Sequence, residues 1–70
     1  MNYNNLRAEI ARNGLTVSKL ANDIEISKKT LYSRLKEETA FKQPEIERIA
    51  SRLSLGNEQI MDIFFGAKVN

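Results

Sequence analysis

Lys28, Lys29, Tyr32, Ser33 and Lys36 are five polar side chains within nine residues, with Leu31 and Leu35 between them. At helical pitch the two leucines stand one turn apart on one line, and the polar residues point elsewhere. A face of this kind suits a polar, anionic partner. Lysine donates to phosphate or to guanine O6 and N7, the tyrosine ring can touch a thymine methyl or a phosphate, and serine is small enough to allow close approach. Lys28 and Lys29 could be ordinary solvated residues, but lysine in the first turn mildly opposes the helix dipole, and an anionic or guanine partner would explain the placement. Other chemistries are closed. The sequence has neither Cys nor His, which excludes disulfides, thiolate chemistry, the common zinc-ligand sets and histidine acid/base pairs. Its carboxylates fall on solvated faces. No catalysis, no cofactor, no metal and no small-molecule ligand are expected.

Five short helices are expected to position that face, over residues 3–13, 16–24, 27–37, 44–54 and 57–65. Tyr3, Leu6 and Ile10 recur at helical intervals, and Asn13-Gly14 closes the segment. Thr16 is an N-cap ahead of a stripe of Val17, Leu20, Ala21 and Ile24. Ser27 caps the segment that carries Leu31 and Leu35. Pro44 fits the first turn of a further helix, with Glu45 and Glu47 near its positive end and Ile46, Ile49, Ala50 and Leu53 as its stripe. Asn57 is expected to cap the last helix, in which Ile60, Met61, Ile63, Phe64 and Phe65 spread over more than one stripe. No segment alternates as a strand does. The fold class is therefore all-α, a compact bundle forming a single domain over residues 1–70, close to the lower size limit for folding without a metal or disulfide.

Residues 16–35 read as a capped helix, a three-residue turn of Glu25, Ile26 and Ser27, and a second capped helix. That is a helix-turn-helix. Ala21 stands where the two helices approach most closely, and Ile26 can fill the gap between them. Leu20, Ile24 and Leu31 would face the first helix, which leaves the polar side of the third convex and of a diameter that enters the B-DNA major groove. Arg34, beside the apolar line, is expected to pair with Glu38 or Glu9 and is not placed in the interface.

The sequence resembles the Cro and CI phage repressors, the Xre-type regulators with a lambda-repressor-like DNA-binding domain. The likeness covers nearly all of residues 4–65. It is carried by L-T-x-x-x-L-A at 15–21, I-S-K-K-T-L-Y at 26–32, F-K-Q-P-E-I at 41–46 and I-F-F at 63–65. The resemblance implies that the third helix enters the major groove and the second lies across the backbone. It puts Lys28, Lys29 and Ser33 at base-reading positions with Tyr32 beside them, and Lys36, Lys42 and Gln43 at a phosphate. Thr16 and Ser27 act mainly as caps and touch phosphate secondarily. The family usually has glycine where this sequence has Glu25, and a side chain at positive φ costs about 1 kcal/mol or more, so a differently bent turn is open. It often has glutamine where this sequence has Val17, which passes the phosphate contact to Ser18, Lys19 and the helix-start amides.

Net charge is +2, unevenly spread: residues 1–42 hold eight Lys/Arg against five Asp/Glu, a net +3, and the rest carries −1. The basic front half suits a polyanion. Met-Asn-Tyr-Asn-Asn at the start lacks the charged and apolar pattern of a secretory signal. The longest apolar cluster, residues 60–65, is interrupted by Asp62 and is far short of the roughly 20 residues a membrane span needs. The expected protein is thus a cytoplasmic, sequence-specific regulator of a bacterial or phage-infected cell, with double-stranded DNA as its partner. The apolar residues of the last helix either complete the small core or, at Met61, Phe64 and Phe65, contribute to a homodimer contact, which is expected because half-sites one helical turn apart require two reading heads. The competing reading is a protein-interaction module on the same fold, an antirepressor-like partner without DNA binding, favoured by Glu25 and the Glu37-Glu38 pair.

Overall fold

The computed structural model describes residues 3–66; the ends of the expected domain span, residues 1–2 and 67–70, lie outside them. Among the described residues there are five helices and no strand: α1 Tyr3–Arg12, α2 Val17–Asp23, α3 Lys28–Leu35, α4 Gln43–Leu53 and α5 Asn57–Phe65. No helix among them is long and apolar enough to cross a membrane.

The starts of α2 to α5 each have a side-chain acceptor, and most helices end on a left-handed residue. Thr16 Oγ1 accepts from the Lys19 amide at 3.1 Å and Ser27 Oγ from the Thr30 amide at 3.0 Å, satisfying donors the helix itself leaves unpaired. At α4 the roles reverse: the Glu45 carboxylate folds back to accept from the Lys42 amide at 3.0 Å. At α5 Gln59 does the same for Gly56 at 2.9 Å, so Gly56 takes the N-cap position and Asn57, expected there, is the first helical residue. The first four helices close alike. Gly14, Glu25, Glu37 and Ser54 have φ of 71°, 64°, 62° and 55°, and the amide of the following residue bonds the carbonyl five back, as in Leu15 to Ile10, Ile26 to Ala21, Glu38 to Ser33 and Leu55 to Ala50. Leu15, Ile26 and Leu55 then pack against the core. The third helix is accordingly shorter than expected, ending at Leu35 because Glu37 turns the chain.

The stripes meet in one core of Leu6, Ile10, Leu20, Ala21, Ile24, Leu31, Leu35, Ile46, Ile49, Leu53, Ile63 and their neighbours. Packing joins α2 to α3 and α1 to α5. At the edge of the core three rings meet: Phe41 lies edge-on to Tyr3 at 5.3 Å and to Phe64 at 5.2 Å between centroids. Phe41 thereby anchors the loop between α3 and α4. Burial, with Glu37 nearby, pushes the Tyr3 hydroxyl above its ordinary pKa.

Candidate nucleic-acid interface

The inner side of α3 is pinned by Leu31 and Leu35, both buried, and by Arg34. Arg34 corrects the expectation that it pairs with Glu38 or Glu9. Its Nε and Nη2 donate to the two carboxylate oxygens of Glu45 at 2.7 and 3.1 Å, and its Nη1 donates to Thr39 Oγ1 at 2.6 Å. Both partners are nearly out of solvent, Arg34 at 9 % and Glu45 at 7 % exposure. A buried charge without such a partner is strongly unfavourable. The guanidinium, helped by the Lys42 amide, holds the Glu45 carboxyl below the usual carboxylate range, and Glu45 in turn raises Arg34. One ion pair thus ties α3 to the start of α4.

With its inner side held in this way, α3 leaves Lys28 and Lys29 exposed and Tyr32 and Ser33 half-buried. None of these four is in the core. Lys28 Nζ stands 5.8 Å from the centre of the Tyr32 ring, one turn on, within range of a cation–π contact. Ser33 Oγ donates to Glu38 Oε1 at 3.2 Å. At the end of α3, Lys36 is exposed, as are Lys42 and Gln43 where α4 begins. Around the start of α2, Thr16, Ser18 and Lys19 are exposed. Thr16 spends an acceptor on its cap and keeps its hydroxyl proton, whereas Ser27 both accepts from the Thr30 amide and bonds Thr30 Oγ1 at 2.7 Å. Lys19 lies 3.3 Å from Asp23, whose carboxyl is held below the usual range by Arg52 first and Lys19 second.

In the turn, Glu25 occupies the left-handed region that glycine adopts without strain. Its φ is 64° and Ile26 donates to Ala21 O at 3.0 Å, so the positive-φ conformation is kept in spite of the side chain. On α2 and α4, Arg48 Nη1 donates to Ile24 O at 3.2 Å and Arg52 Nε to Asp23 Oδ2 at 2.9 Å, which brace the end of α2.

Of the three residues expected at a dimer contact, Phe64 is part of the core, 5 % exposed, where it completes the ring cluster with Tyr3 and Phe41. Met61 and Phe65 stay outside at 44 % and 54 %. Sequence reasoning passed over Arg34, Glu45 and Phe41 as positioning residues. The spacing held a signal for the first: Arg34 lies between Leu31 and Leu35 beside the apolar line, where a charge turned inward needs a partner.

No curated protein and no solved structure matches the chain. A profile of the Cro/C1-type HTH DNA-binding domain matches residues 5–65, which takes in all five helices except the first two residues of α1. With its helix-turn-helix wholly within that match and its five helices covered but for two residues, the chain belongs to the Cro/C1-type HTH DNA-binding domain family.

Proposed function

We propose that this protein is a sequence-specific transcriptional regulator of the phage or prophage repressor kind, which binds a short operator without catalysis, in the cytoplasm. The observation that carries the reading is the two-sidedness of α3: Leu31 and Leu35 are buried while Lys28 and Lys29 project into solvent with Tyr32 and Ser33 beside them. Lys28, Lys29, Tyr32 and Ser33 read base edges in the major groove. Lys36, Lys42, Gln43, Ser18, Lys19 and the hydroxyl of Thr16 set register on the phosphates, with Ser27 secondary because its oxygen is already engaged. Two protomers bind together, Met61 and Phe65 supplying exposed apolar surface toward a two-fold contact.

Binding-site selection from random duplexes tests the proposal and reports the operator. On the selected site Lys29→Ala is expected to weaken binding by about 1–3 kcal/mol and to relax base preference, while Lys42→Ala weakens specific and random DNA alike. Equal losses on both kinds of duplex for both variants would count against it. The second reading, a protein-interaction module, is favoured by the exposed carboxylates Glu25, Glu37 and Glu38 near the ends of α2 and α3. Raising salt separates the two: DNA affinity falls steeply through counterion release, whereas an apolar interface holds.

A further inference from the structure

We infer that Glu38, which lies outside the reading helix, determines which base Ser33 selects. The inference rests on the reading that α3 enters the major groove. A serine hydroxyl has one proton to donate and two lone pairs to accept with, so a free serine reads donors and acceptors on bases alike. Ser33 is not free in this sense. Its Oγ lies 3.2 Å from Glu38 Oε1, and since an ionised carboxylate only accepts, the serine proton is committed to that bond.

The position of Glu38 is built into the backbone. Glu37 at φ 62° turns the chain back, and the Glu38 amide donates to the Ser33 carbonyl at 3.0 Å, so both the main chain and the side chain of Glu38 meet Ser33. The next residue is held as well, since Arg34 Nη1 donates to Thr39 Oγ1 at 2.6 Å. What Ser33 then presents to a groove is an acceptor alone. On the strand it touches, an acceptor favours a base that carries an amino donor on its major-groove edge, adenine N6 or cytosine N4, over guanine and thymine, which offer acceptors there.

Binding-site selection with the wild type, Glu38→Ala, Ser33→Ala and the double variant tests this. In the wild type one operator position favours adenine or cytosine by about 3- to 10-fold, the range of one net hydrogen bond. Glu38→Ala is expected to leave the remaining positions as they are and to admit guanine and thymine at that one. Ser33→Ala erases the same preference, and the double variant matches Ser33→Ala. Overall affinity is not the readout, because removing a carboxylate near phosphates tightens binding to every sequence. An unchanged profile for Glu38→Ala overturns the inference. So does a profile in which Ser33→Ala keeps the preference and Glu38→Ala abolishes it, since Glu38 would then read cytosine N4 itself. A wild type that selects no site overturns the DNA-reading proposal as well, and the two failures are told apart by that first measurement. Glu38 is exposed and follows the last helical residue, so its replacement leaves the core intact.

Discussion

Glu25 shows how a single residue carries a conformation its type disfavours. A left-handed residue other than glycine is strained by about 1–2 kcal/mol, yet φ is 64° because Ile26 must reach both the Ala21 carbonyl and the core. Glu25→Gly is expected to stabilise the fold by about 0.5–1 kcal/mol, after the added freedom of the unfolded chain is discounted. A thermal melt should show it as a rise of a few degrees, while Glu25→Ala, still with a Cβ, shows little. No rise with glycine would mean that the turn is not strained. At Ser33 and Lys28, by contrast, the side chain's nearest neighbours matter more than its backbone: one hydroxyl is engaged by Glu38, one ammonium stands over Tyr32.

At the scale of elements, the Arg34–Glu45 pair joins α3 to α4 and the loop that carries Lys42. Breaking it from one side leaves a buried charge. Glu45→Ala should therefore cost about 3 kcal/mol in urea unfolding, and replacing both partners with apolar residues of similar size should restore most of the loss. A cost under about 1 kcal/mol for Glu45→Ala would show the pair to be only a surface contact. The same pair sets an acid limit. Glu45 has its pKa lowered by Arg34, so its contribution is fully present above the unfolded value of about 4.3 and is lost as pH falls through the lower folded value. Asp23, lowered by Arg52 and Lys19, acts in the same direction. The urea midpoint should drop as pH is taken down through and below the ordinary carboxylate range, and Glu45→Gln should flatten that drop. An unchanged pH profile in Glu45→Gln would assign the acid sensitivity to other groups.

For the whole molecule, net charge is a poor guide to partner, because +2 over 70 residues is small. The disposition of charge matters more: Lys28, Lys29, Lys36 and Lys42 are all exposed on or beside one helix. If Lys19, Lys36 and Lys42 each neutralise a phosphate, log affinity plotted against log salt should slope at roughly −3 per protomer. A slope near zero would remove the phosphate contacts from the proposal. Met61 and Phe65 provide little apolar surface, so the dimer is expected to assemble on DNA more readily than free. Sedimentation that shows a monomer at high concentration both with and without DNA would refute it. Phe65→Ser should then weaken operator binding while leaving the melting temperature within a degree or two, since Phe65 lies outside the core.

Local pattern was enough to determine the all-α class, the five helices, the caps at Thr16 and Ser27 and the two faces of α3, because helical periodicity and capping are properties of neighbours within one or two turns. The family likeness was legible for the same reason, in motifs of seven residues or fewer. Tertiary structure alone decided what depends on residues far apart in the chain. Arg34 found Glu45 eleven residues on, and Phe64 went inside because Tyr3 and Phe41 arrive beside it from the other end and the middle of the chain. Whether an apolar residue on a broad arc faces the core or the solvent, and which carboxylate a buried guanidinium meets, is settled by how the helices pack against each other, and no stretch of local sequence encodes that packing by itself.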